Sequence, residues 1–193
     1  TRPVVGNDGW ESVATDIVGI HDYDEQPARI AKRYGVAEIP QLVKRERPGG
    51  RLLTLDGQVL EQPIMLTEFG GIAYSPNDRT SNGHTGNGQT WGYSRAESEE
   101  DFGRRYLHLL RVVRSLPVIA GFCYTQFTDT YQEANGLLYA DRRPKFPIEQ
   151  IALATRGAQT ARDHQLAWEW RERLMNNQRR RAVPNEDHHP TPP

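Results

Sequence analysis

Apolar residues along this chain fall into brief runs, not long stripes. Residues 3–5, 15–23, 63–69 and 118–124 each hold a short apolar stretch closed by polar groups or glycine, the length and flanks of a buried strand. Between the third and fourth runs, Phe102, Tyr106, Leu109, Leu110 and Val113 recur at helical spacing, and Pro117 stops that helix. Ser98 with Asp101 resembles a capping box for its start, and Ser94 with Glu97 is a competing one. Residues 25–47 scatter Ala28, Ile30, Ala31, Tyr34 and Leu42 among charges, which predicts one or two surface helices interrupted near Gly35 and Pro40. Asp56-Gly57 between apolar neighbours predicts a small hairpin over 52–60. Residues 75–93, rich in Gly, Asn, Ser and Thr, read as a long loop closing on Trp91-Gly92-Tyr93. Pro147 opens a last helical region with Leu166, Trp170 and Leu174 on one stripe and a break expected at Gly157.

Short apolar strands alternating with helices imply parallel βα units, so the fold class is α/β. The fourth run is apolar throughout, as in a parallel sheet covered on both faces. Cys123 lies inside it and is expected to be a buried, inert thiol. A closed barrel of such units needs eight strands and about 250 residues. Four runs in a chain of 193 residues therefore predict a partial (β/α)8 TIM barrel over 1–183, with 184–193 expected as a disordered tail.

Composition narrows the function. The formal net charge is −1, which gives no pull towards nucleic acid or an anionic membrane. Arg179-Arg180-Arg181 reads as a solvated helix end. With one cysteine no intramolecular disulfide can form, and no apolar run reaches the length of a membrane helix. No metal or cofactor is expected. The chain opens on Thr1, which suggests a processed chain, an excised domain or a fragment, and leaves cytoplasm or periplasm open.

The stretch 63–71 carries the chemistry. It is an apolar run that ends in Glu68 and then Gly70-Gly71, placing an acid where a strand stops, the position at which barrel enzymes build active sites. Read with Thr1-Arg2-Pro3-Val4, Thr15-Asp16-Ile17 leading to Tyr23, Gly121-Phe122, Asn135-Gly136-Leu137-Leu138 and Asp141-Arg142-Arg143-Pro144, in that order, the chain resembles the C-terminal half of the catalytic barrel of glycoside hydrolase family two, the β-galactosidase and β-glucuronidase group.

That resemblance implies strands five to eight of the barrel and a retaining exo-β-glycosidase. It makes Glu68 the nucleophile and Tyr23 the hydroxyl that orients it. Tyr124 stands where relatives have a tryptophan that floors the sugar, and a cis peptide is expected between Tyr124 and Thr125. His21, Asp22, Asn7, Asp8, Trp91, Gln126 and Asp129 follow strands on the same face and are candidates for contact with a carbohydrate substrate; Glu133 is expected to order the last loop. Relatives that take glucuronides carry an Asn-x-Lys pair in that loop. Here Ala134-Asn135-Gly136-Leu137 lacks the lysine, which favours a neutral sugar such as galactose. The family's acid/base lies in an Asn-Glu pair ending strand four. The only Asn-Glu pair here, Asn185-Glu186, is in the tail, so the chain alone is expected to be inactive. An open half barrel would associate with a second copy or with the missing N-terminal half of the same enzyme. A carbohydrate-binding remnant without turnover, and an unrelated α/β interaction domain, are the competing readings.

Overall fold

The computed structural model describes residues 2–35, 41–42, 50–55, 61–76, 92–130 and 132–181. Nine regular elements follow in order among these residues: β1 (Val18–Asp22), α1 (Pro27–Tyr34), β2 (Ile64–Gly70), β3 (Ile72–Ala73), β4 (Ser94–Arg95), α2 (Glu99–Val113), β5 (Ile119–Thr125), α3 (Ile148–Arg156) and α4 (Ala161–Arg181).

Strands β1, β2 and β5 form one all-parallel sheet in that order. A parallel bridge from Val5 to Ile17 places the first apolar run beside β1. The four runs thus lie side by side in chain order and direction, with α1 between β1 and β2 and α2 between β2 and β5. This is the α/β arrangement that the pattern predicts. The pair β3–β4 adds a short parallel ladder beyond the end of β2.

One face of the sheet is closed by helices. Val18, Ile20, Ile64, Leu66 and Phe69 form a single buried cluster with Ile30 and Tyr34 of α1 and with Phe102, Tyr106, Leu109, Leu110 and Val113 of α2. At about 1.5–3 kcal/mol for each fully buried large apolar side chain, this layer is the main source of stability. Helix α2 starts where the Ser98 reading places it: the Ser98 hydroxyl accepts the Asp101 backbone N–H at 3.1 Å. The last helical region is two helices, because Gly157 sits at φ +81° between α3 and α4.

Two expectations, on Cys123 and on the cis peptide, are corrected, and the hairpin lies largely outside the described residues. Cys123 is exposed, since nothing among the described residues covers its side of β5. In the described part of the predicted hairpin, Leu53 and Leu55 bond the backbone of Ser12, with a parallel bridge from Ser12 to Thr54; the Asp56-Gly57 turn lies outside the described residues. The cis peptide joins Thr125 to Gln126, one bond later than expected.

The β2–β5 ladder slips register between Ile64 and Met65, and both ladders of β2 are irregular beside Glu68. Ile20 pairs with Leu66 while the next residue, His21, pairs with Glu68; on the other side, Leu66 and Phe69 pair with Phe122 and Tyr124. Strand β2 therefore holds one residue more than either neighbour between Leu66 and Phe69. The buried positions show the same insertion: Ile64, Leu66 and Phe69 face the helices, with a step of two and then of three. This is a β-bulge. It puts Thr67 and Glu68 together on the face away from the helices. The Thr67 hydroxyl donates to the Ile20 carbonyl at 3.3 Å, beside the break in register.

Candidate active site

The bulge aims Glu68 at the end of β2, and two groups from β1 and the loop after it converge there. The Tyr23 phenol donates to Glu68 Oε2 at 2.6 Å. His21 Nδ1 stands 3.3 Å from the same oxygen. Glu68 keeps 39% of its side-chain exposure, so the carboxylate is held from one side and open on the other. One oxygen is pinned and its twin, Oε1, is left without a hydrogen-bond partner among the described residues.

Burial and then the hydrogen bond to Glu68 push the Tyr23 hydroxyl well above the ordinary phenol range, with Thr125 acting weakly the other way. Tyr23 is therefore protonated at any working pH and serves as a fixed donor. Its ring is stacked on Tyr93, centroids 3.7 Å apart and planes 14° from parallel. Burial, with the charges of Glu68 and Glu133, raises Tyr93 as well. The His21 ring meets the edge of Trp10 at 5.6 Å.

Gly70, which ends β2, and Gly71, which follows it, allow this approach. Gly71 has φ +63°, and a Cβ there would lie 2.5 Å from the Tyr93 ring and 3.0 Å from that of Tyr23. Gly70 has φ +94°, and a Cβ would lie 2.2 Å from the Tyr124 ring. Both the backbone angle and the space exclude a side chain. The Gly71 N–H donates to the Thr125 carbonyl at 2.9 Å, tying the end of β2 to the end of β5.

The structure brings Glu68, Tyr23 and His21 together and turns Asp22 and Tyr124 to other partners. Asp22 turns back to α1, where its Oδ2 accepts from Arg33 and from the Tyr34 hydroxyl at 2.6 Å; it anchors a helix and has little acceptor capacity left for a sugar. Tyr124 was expected as a sugar floor. Its ring instead lies edge-on to Tyr106 of α2 at 4.9 Å and to Phe69 at 5.6 Å, on the helical side of the sheet, and its hydroxyl is buried. Asn7 and Asp8 are exposed in the loop after the first run. Gln126 follows β5, its side chain donating to Thr130 at 3.4 Å. Trp91 lies outside the described residues.

The last loop is ordered by a pair that the sequence reading did not single out. Lys145 is fully buried and donates to Asp129 Oδ1 at 2.8 Å and to the Ala134 carbonyl at 2.6 Å. The same Asp129 oxygen accepts the Gly136 N–H at 2.8 Å. Asp129 is thereby a structural acceptor, and the ordering role expected of Glu133 falls mainly to it. Burial lowers the pKa of Lys145, partly offset by Asp129. Tyr93 and Trp10 were also missed as parts of the site; aromatic residues in loops carry no periodic signal. Among the described residues no group of His, Cys, Asp and Glu is placed to hold a metal ion.

No protein-family model and no curated protein matches the chain. Solved structures do resemble it. A GH2 β-galacturonidase from Eisenbergiella tayi is similar over 76% of this chain at 17% identity and TM-score 0.47. A β-glucuronidase from Bifidobacterium dentium is similar over 75% at 17% identity and 0.44. An agarase is similar over 74% at 16% identity and 0.42. The chain spans 24%, 21% and 18% of their respective lengths. At these scores the likeness assigns neither a family nor a reaction.

Proposed function

We propose that Glu68 is the nucleophile of a retaining exo-β-glycosidase of the family-two kind, and that this chain is the part of its barrel formed by strands five to eight. The observation that carries the reading is the one-sided hold on Glu68: Tyr23 donates to Oε2 at 2.6 Å, His21 Nδ1 stands 3.3 Å from the same oxygen, and Oε1 has no hydrogen-bond partner among the described residues. A nucleophile needs this division of labour. One oxygen fixes the carboxylate in place while the other attacks.

In the proposed first step, Oε1 attacks the anomeric carbon of a terminal β-linked sugar. The carbon–oxygen bond to the leaving group breaks and a glycosyl ester forms on Glu68. A carboxylic acid about 5–5.5 Å away gives its proton to the departing oxygen in such enzymes. In the second step water attacks the anomeric carbon, the same group takes the water's proton, and Glu68 leaves as a carboxylate. The acid/base is assigned to the strand-four region of the family, which this chain does not include. A neutral sugar such as galactose is favoured. Lys145, the lysine beside the last loop, is fully buried and committed to Asp129 and Ala134, so it offers no charge to a sugar carboxylate.

The leaving group decides the test. A dinitrophenolate departs without protonation, so a dinitrophenyl β-galactoside asks only for the nucleophile. The expected result is release of about one equivalent per chain followed by a stall, with no cleavage of alkyl galactosides. Glu68→Gln should abolish the burst. Tyr23→Phe should slow it about ten- to a hundredfold, the value of a hydrogen bond to a charged group. A burst of the same size and rate from Glu68→Gln would overturn the assignment.

A further inference from the structure

On the helical side of the molecule, remote from Glu68, helices α2, α3 and α4 enclose a groove of about 380 Å³, within the roughly 300–1,000 Å³ of small-molecule sites. Its floor is apolar: Leu107 from α2, Leu153 from α3, and Trp170 and Met175 from α4. Its rim is cationic, with Arg104, Arg111 and Arg114 on α2 and the turn after it, and Arg171 on α4 facing them. His108 and His164 lie between. Among the described residues that line it there is no carboxylate, in a chain whose charge is nearly balanced overall.

The cations are not equally occupied. Arg104 is paired with Asp101, and Arg114 donates to the Ala154 carbonyl at 3.0 Å. Arg111 and Arg171 are exposed and have no ion pair among the described residues. Desolvation, and then the neighbouring Arg104 and Arg111, lower the pKa of His108.

We propose that this groove binds a small amphiphilic carboxylate, its chain lying on Trp170, Leu107 and Met175 and its head group held by Arg111 and Arg171. A guanidinium meets a carboxylate with two parallel N–H donors, which suits it to such a head. An unbranched acyl chain suits the floor, because Met175 adapts its shape to what it covers. The charge asymmetry selects this occupant over a neutral amphiphile: apolar contact alone would serve both, and the guanidinium rim serves only the anion. The inference does not depend on Glu68 or on the glycosidase reading.

Decanoate and decanol, titrated calorimetrically into the whole chain, separate the two. Decanoate is expected to bind and decanol at least about tenfold more weakly, in line with the value of charge-assisted hydrogen bonds. Arg111→Gln with Arg171→Gln should weaken decanoate by about tenfold or more and leave decanol unchanged. Both positions are exposed, and an unchanged melting curve checks that the variant folds. Proton NMR gives an independent readout: decanoate should raise the pKa of His108 as the anion offsets Arg104 and Arg111. Equal binding of the two probes, decanoate binding that survives the double substitution, or no binding at all would overturn the proposal.

Discussion

The ring of Tyr93 lies flat against that of Tyr23, 3.7 Å away, and the Tyr23 hydroxyl in turn holds Glu68. Tyr93 thus acts on the carboxylate at one remove, by fixing the plane from which its donor comes. An aromatic pair of this kind contributes about 0.5–1.5 kcal/mol. Tyr93→Ala is expected to slow reaction of Glu68 with an activated galactoside about two- to tenfold, and Tyr93→Phe to restore it. Stopped-flow release of dinitrophenolate is the measurement. A Phe variant as slow as the Ala variant would move the role from the ring to the hydroxyl.

Gly71→Ala should destabilise the fold and the site together. It places a side chain at φ +63° and pushes a Cβ into Tyr93 and Tyr23. A strained residue of this kind costs about 1–3 kcal/mol. Urea unfolding should show that loss, and the dinitrophenolate burst should fall further than Tyr93→Ala alone makes it. Unchanged stability would mean that the turn after β2 relaxes around the methyl group.

Deleting Thr67 removes the extra residue of the bulge. Leu66, Glu68 and Phe69 then alternate in, out and in, so the core positions are kept and Glu68 still leaves on the face away from the helices. A bulge bends and twists its strand locally, so the deletion changes the direction of Glu68 within that face. The deletion variant is expected to keep most of its stability in urea and to lose most of its burst. Thr67→Ala, which keeps the count and loses only the hydroxyl bond to Ile20, should keep the burst. A burst of parental size from the deletion variant would show that the bulge does not aim Glu68.

Much of this architecture is visible in the chain itself. Ser98, the stripe from Phe102 to Val113 and Pro117 define α2 because cap, period and stop agree. Glu68 is legible as an acid closing an apolar strand. The bulge is harder to see: Leu66 and Phe69 both look buried, but only the pairing with Ile20, His21, Phe122 and Tyr124 shows which intervening residue is extra. Tyr124 and Cys123 were assigned to the wrong surroundings for one reason. An all-apolar strand does not say which of its faces is covered, and here helices cover one. Lys145 escaped notice because Asp141-Arg142-Arg143-Pro144 before it reads as a charged surface turn; its burial depends on Asp129, sixteen residues earlier.

Acid stability should depend on Asp163. At the start of α4 it accepts from the backbone N–H groups of Gln159 and Thr160 and from Arg156, while Thr160 accepts from its own N–H. The Arg156 hydrogen bond, ahead of the backbone donors, holds its carboxyl well below the ordinary range. A carboxylate whose pKa is lower folded than unfolded stabilises above its unfolded value and loses that contribution as pH falls through the folded one. Asp163→Asn should therefore lower stability at neutral pH, with the gap to the parent narrowing as the solution is acidified below the normal carboxylate range. A gap that stays constant with pH would mean the carboxyl charge is not what anchors α4.

In the proposed mechanism one oxygen of Glu68 takes the sugar. A fluorinated β-galactoside with a dinitrophenolate leaving group forms a glycosyl ester that hydrolyses slowly, and peptide mass spectrometry then locates the modified residue. The prediction is a single sugar on Glu68, formed at a rate that falls in Tyr23→Phe. An unmodified Glu68, or a label on another carboxylate, would contradict it.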